Sequence, residues 1–226
     1  MSRKTYYFTL ISSLPHLPRF YQAERLPINR ERLDERLRML EPEDREVVAG
    51  AEEFIEWQRQ PVGRTDAEIV ASFERMMKQT SQPVLSDMID YRMNQRTIMV
   101  ALRRRHRGLE LPRAGEPWGV GRWIRHIEKN WDDLHFKLDL IHPWIRTARQ
   151  LLEAGNVLEL EKFLMERTWN YLTRVTEKYE FRFEAVLAFL FKWDILERWL
   201  GYDPEAATKN LTNLLRETTS EQRQLF

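Results

Sequence analysis

The sequence predicts an all-α fold of many helices, on three observations. Apolar residues recur three and four apart from about Asn29 onward, the period of an amphipathic helix. Helix start and stop signals punctuate those stretches. Only 8 glycines and 10 prolines occur in 226 residues, which argues against a turn-rich sandwich or a collagen-like repeat.

Taken in order, residues 4–11 read as a short extended piece, because Thr5, Tyr6, Tyr7 and Phe8 favour strands, although a helical start fits nearly as well. Pro15, Pro18 and Pro27 make residues 12–29 irregular. Leu33, Leu37 and Leu40 then share a helical face. Pro42 opens the next helix, with Val47, Val48, Ala51, Phe54, Ile55 and Gln58 at helical spacing and Pro61–Gly63 ending it. Thr65 and Glu68 form a capping box ahead of the stripe Ile69, Phe73, Met76 and Met77. A long helix is expected from Pro83 to His106, with Gly108 as its left-handed cap.

Residues 108–119 are the clearest linker. They divide the chain into an N-terminal helical half, 1–110, and a C-terminal helical half, 111–226. The second half carries the most regular stripe in the sequence: Trp131, Leu134, Leu138, Ile141, Ile145, Ala148 and Leu152. That alternation predicts the seam of a helix packed along a partner, with a kink or a break near Ile141 because Pro143 lies within it. Gly155 and Asn156 end it and start another helix through Leu160, Leu164, Tyr171 and Val175. Residues 181–200 are apolar nearly all round and predict a central helix capped by Gly201. Asp203 and Pro204 start a last amphipathic helix through Leu215.

Composition narrows the function classes. Lys plus Arg number 36 against 35 Asp plus Glu, so global charge gives no electrostatic case for nucleic acid or an anionic membrane. Cysteine is absent, which removes disulfides, zinc–thiolate sites, iron–sulfur clusters and cysteine nucleophiles together. The apolar run Ala185–Phe191 falls far short of the roughly 20 residues of a membrane span. The basic, Pro-interrupted N-terminus does not resemble a signal peptide. A soluble, non-enzymatic chain is expected, with no cofactor.

The chemistry motifs agree. His135 and His142 are two helical turns apart, and no histidine pair has the one-turn spacing of a helical metal site, so no metal is expected. Adjacent carboxylates such as Asp132 and Asp133 do not converge on one point of a helix. Gly119-Val-Gly121 lacks the third glycine and the Lys-Ser/Thr of a phosphate loop. The one sharp charge feature is Arg103, Arg104, Arg105 and Arg107 at a helix end. There cations complement the helix dipole and can dock on an acidic partner. The rival reading is phosphate neutralisation in nucleic acid, which near-zero net charge and the lack of interleaved aromatics disfavour.

Three stretches together resemble a known family. In Ser86–Gly108, Asp90 precedes Asn94, then an apolar turn, then Arg103 and its neighbours, then Gly108. This is similar to a pattern in the C subunit (eukaryotic d) of A-type and V-type rotary ATPases. Phe183–Asp194 is similar to that subunit's late helix, and Tyr6–Pro18 to the opening of a shorter bacterial family associated with V-type ATPase gene sets. Gln95 departs from the pattern, which prefers Leu there, and the chain is shorter than a full three-domain C subunit. The resemblance implies a non-catalytic central-rotor subunit or accessory factor that couples the rotor shaft to the membrane proteolipid ring. It would be cytoplasmic and peripheral on the inner membrane through its protein complex, with Asp90, Asn94 and Gly108 as pattern positions. A free-standing helical adaptor is the alternative that the residues leave open.

Overall fold

The computed structural model describes residues 6–55, 65–80, 82–113 and 115–202. Nine α-helices lie among them: α1 Phe8–Ser13, α2 Arg30–Leu37, α3 Pro42–Ile55, α4 Asp66–Gln79, α5 Pro83–His106, α6 Ile124–Lys129, α7 Trp144–Glu153, α8 Val157–Lys178 and α9 Phe183–Tyr202. No strand occurs among the described residues. Of the segment expected to be extended, Tyr6 makes one isolated antiparallel bridge to Arg182, and the chain turns helical at Phe8.

The chain divides into two units. Among the described residues, one joins residues 6–49 to residues 171–202, and the other lies within Gly50–Asn170. This division differs from the expected boundary at 110/111, which falls inside the second unit.

In the first unit α9 is the central element. Its apolar residues occupy nearly every face, and Phe183, Val186, Leu187, Phe191 and Leu196 are all buried. The Trp193 indole Nε1–H donates to the Ile28 carbonyl at 2.8 Å, so a proline-bounded segment with no ladder of its own gains a buried partner. Phe20 is fully buried, edge-on to Trp199 at 5.3 Å. Tyr7 donates its hydroxyl to the Asp44 carboxylate and accepts from the Glu41 amide at 3.2 Å, which ties the chain start to α3. Burial first, then the Asp44 carboxylate, push the Tyr7 phenol well above its ordinary range. Gly201, expected as a cap, lies within α9, which continues to Tyr202.

In the second unit α4 starts on its capping box: Glu68 N–H donates to Thr65 Oγ1 at 3.2 Å, and Thr65 N–H to Glu68 Oε2 at 2.7 Å. Arg96 on α5 holds Asp66 at 2.6 Å. α5 is the axis of the unit. Tyr91 Oη donates to the Arg167 carbonyl at 3.3 Å and Gln95 Nε2 to the Leu164 carbonyl at 3.3 Å, so its side chains meet α8 in antiparallel order.

The segment after α5 is clasped to it rather than free. The Thr97 hydroxyl donates to the Val120 carbonyl and accepts from the Val120 N–H, both at 2.9 Å and buried. One side chain thereby satisfies both backbone groups of a residue that has no secondary structure. Trp118 beside it is 2% exposed and joins the core of Ile98, Leu102, Ile127, Phe136 and Leu138.

The stripe over 131–152, expected to kink or break near Ile141, is broken, and its first half is not helical. Residues 130–143 are turns, and α7 begins only at Trp144. Phe136 and Lys137 have φ of 55° and 51°, outside the right-handed helix. Within the stripe Leu138 is buried, but Leu134 and Ile141 are exposed. Asp133 directs this turn: its Oδ1 accepts from the backbone N–H of His135 at 2.8 Å and of Lys137 at 2.9 Å. The expected C-terminal helix from Asp203, and the helix end at Pro61–Gly63, lie outside the described residues.

The Asp133 cap carries a pH prediction. The Lys137 and His135 amides hold its carboxyl below the ordinary range. A depressed native pKa adds stability that is complete above about pH 4, the unfolded value, and is lost as pH falls through the native one. Asp133→Asn keeps an acceptor oxygen and removes the titration. Its thermal midpoint is expected to fall less steeply than that of the parent between pH 5 and pH 3, about one unit either side of that value. Parallel curves by circular dichroism would refute the assignment.

Candidate partner-binding site

The sequence places its candidate site at the C-terminal end of α5. The reason for a helix end there is visible in the backbone. Gly108 N–H donates to the Arg105 carbonyl at 2.9 Å and Leu109 N–H to the Arg104 carbonyl at 3.0 Å, the two bonds of a Schellman motif. Gly108 supplies the required left-handed residue, with φ of 68°. Three arginines, 103 to 105, thus sit in the last turn, where helix carbonyls favour positive charge.

The structure does not bring the four arginines together as one open face. Arg103 Nη2 reaches Glu161 on α8 at 3.4 Å, and Arg104 Nη1 reaches Glu116 at 3.2 Å. Arg105 donates to the backbone carbonyls of Asp133 and Asp132, the second at 3.4 Å, and its guanidinium lies over Phe136 at 5.7 Å. All three are half-buried, and each ties α5 to a different part of the same unit. Arg107, beyond the helix, is exposed.

The pattern positions are placed one turn apart or at the helix end. Asn94 is buried and its Nδ2 donates to the Asp90 carbonyl at 2.8 Å. Its Oδ1 abuts the backbone of Gly121, whose φ is 91°; a Cβ built there would lie 2.4 Å away. Asp90, Asn94 and Gly108 therefore build the helix and its joints.

His142 and His135 do not converge. His142 meets the Trp123 ring edge-on at 5.0 Å, while His135 Nδ1 lies 3.8 Å from Asp139. Burial, then the Arg167 and Arg122 guanidinium groups, lower the His142 pKa, so that ring is neutral at pH 7. Among the described residues no group of three or more His, Asp or Glu side chains is placed to hold a metal ion.

Sequence reading passed over the residues that complete this end of α5. Glu116 and Glu161 are remote in sequence, and nothing local marks them as arginine partners. Arg149 and Glu153 on α7, paired at 2.8 Å, do carry a readable one-turn spacing.

Comparison with known proteins yields no match: no family model, no curated protein and no solved structure matches this chain. No helix among the described residues is long and apolar enough to cross a membrane.

Proposed function

We propose that this chain is a non-catalytic helical subunit or accessory factor of a bacterial V-type ATPase, placed like the C/d subunit between the rotor shaft and the proteolipid ring. The observation that carries the reading is the placement of the resembling stretch. Asp90–Gly108 lies on one helix, and its pattern residues fix that helix: Asn94 binds the Asp90 carbonyl and Gly108 closes the end. Residues that build a helix and its termini are those a shared fold would keep. Phe183–Asp194, the second resembling stretch, likewise lies within one buried helix.

The mechanism would be mechanical. A coupling subunit must transmit force without yielding, and α5 is braced along its length by Asp66, Leu164, Arg167, Glu161 and Val120. The internal partners of Arg103, Arg104 and Arg105 favour a protein role over nucleic acid, because cations already held by acceptors of their own chain have less to offer a phosphate backbone.

The test is affinity purification of the tagged chain from gently solubilised native membranes, followed by mass spectrometry. Catalytic, shaft and proteolipid subunits of the ATPase are expected to come along. Recovery of none, with the complex intact in the same extract, overturns the proposal and leaves the free-standing adaptor. Arg107→Glu sharpens it. On an exposed site the change should alter stability by no more than about 0.5 kcal/mol. It should nevertheless lower recovery of the partners; unchanged recovery removes Arg107 from the interface.

A further inference from the structure

His142 stands at the joint between the 130–143 turns and α7, within the Gly50–Asn170 unit. Its backbone makes a bond on each side of that joint. Its N–H donates to the Leu138 carbonyl at 2.7 Å, and its carbonyl accepts from the Ile145 N–H at 3.0 Å. Between buried Leu138 and buried Trp144 its ring is the main inward attachment, because Leu140, Ile141 and Pro143 are exposed. The ring lies edge-on to Trp123 at 5.0 Å and 6.4 Å from the Trp144 ring. A segment with so little buried surface opens at less cost than the core.

The surroundings of the ring suit a neutral imidazole and not a cation. On its own side of the joint, Asp139 is bonded by the Arg146 guanidinium at 2.9 Å. On α8, Arg167 lies over Trp144 at 4.5 Å; ahead of α6, Arg122 lies over Trp123 at 5.0 Å. Each indole that could meet a cation through its ring face thus already carries one. His126 on α6 meets the Trp123 ring at 6.0 Å, and Nε2 of both histidines is closed off from solvent with no hydrogen-bond partner among the described residues. An imidazolium needs acceptors for two N–H groups, and this site has none for Nε2. Burial, then Arg167 and Arg122, hold the His142 pKa below its ordinary value, and no carboxylate acts against them.

We propose that His142 is an acid-released latch: its neutral ring pins the 138–143 turn against Trp123 and Trp144, and protonation frees that turn together with the start of α7. The opened turn takes up its proton at about pH 6.5, the ordinary histidine value, and the closed one only at lower pH. Opening is therefore favoured as pH falls below about 6.5, by up to about tenfold per unit until the closed ring is itself protonated. The inference does not depend on the ATPase reading.

The test follows the isotopically labelled full chain by NMR from about pH 7.5 to about pH 5, above the range in which carboxylates titrate. Histidine ring shifts give the titration, with His142→Phe assigning the signal. Amide hydrogen exchange, normalised to the intrinsic rate at each pH, gives protection. The His142 ring is expected to titrate below its ordinary value. Protection of the His142 and Ile145 amides should fall up to about tenfold per unit below about pH 6.5, and stay lower throughout than that of Ile98 within α5. His142→Phe keeps a ring without the proton, so protection at Ile145 should fall far less. Arg122→Gln, at an exposed site, removes one repelling cation and should raise the ring's pKa and flatten the fall. The parent titration and Arg122→Gln decide the matter even if His142→Phe does not fold. A ring that titrates at or above about 6.5 overturns the latch, as does an equal fall in His142→Phe. So does equal protection at Ile98 and Ile145, which would mean that the turn opens only with the whole unit.

Discussion

Trp118→Ala is expected to destabilise the protein by about 4 kcal/mol, the usual range for deleting a buried aromatic. The side chain is 2% exposed and packs in the core that α5, α6 and α7 share. Its Nε1–H also donates to Glu128 on α6 at 3.1 Å. Trp118→Phe separates the two contributions. It retains most of the apolar area and loses the hydrogen bond, for an expected cost of about 1 kcal/mol plus whatever strain the smaller ring leaves. Urea unfolding followed by circular dichroism measures both. An alanine variant within 1 kcal/mol of the parent, against the roughly 3–5 typical of such deletions, would mean that Trp118 does not anchor residues 115–120 to the core.

Gly121→Val is the second large effect. A residue with a side chain in the left-handed region costs about 1–2 kcal/mol, and β-branching makes it worse. The Cβ would also stand 2.4 Å from Asn94 Oδ1, and Asn94 is held in place by its bond to the Asp90 carbonyl. Overpacking of this kind adds about 1–3 kcal/mol, so a total near 4 is expected. Gly108 is the control. Its φ is also positive, at 68°, but a Cβ there meets nothing within 4 Å, so Gly108→Ala should cost only about 1 kcal/mol. Equal losses at the two glycines in thermal or urea unfolding would show that the contact with Asn94 is not what excludes a side chain at 121.

What could be read from the sequence, and what could not, follows the range of the forces involved. The bounds of α5 were legible because both ends are local: Pro83 at the first turn and Gly108 in the Schellman motif. The capping box at Thr65 is equally local, and the structure forms both of its bonds. The 131–152 stripe misled because periodicity reports spacing and not backbone conformation. Asn130, Asp132, Asp133 and the residue before Pro143 are turn formers, and the Asp133 carboxylate gathers the His135 and Lys137 amides before a helix can. Exposure then falls on Leu134 and Ile141, which the stripe had assigned to a seam.

The arginine cluster was legible as composition but not as geometry. Its acceptors are Glu161, Glu116 and two backbone carbonyls at Asp132 and Asp133, and only the fold brings them near. A shallow cleft lined by Leu102 on α5, Leu134 in the turn and Leu152 on α7 was hidden for the same reason. Leu134 belongs to a turn that was read as helix, so its place beside Leu102 and Leu152 has no signature along the chain.

The discontinuous unit has a consequence for synthesis. The ribosome delivers residues up to Ala49 first, yet the α9 side chains that bury Phe20 and bond Ile28 belong to the stretch after Tyr171. Phe20 and the Ile28 carbonyl must therefore wait for their native partners while the whole of Gly50–Asn170 emerges. The usual order, in which the first-made part of a chain folds first, is inverted here. The segment made in the middle is the first able to complete its core, and the two ends close last, across a loop of more than a hundred residues whose entropy grows only slowly with length.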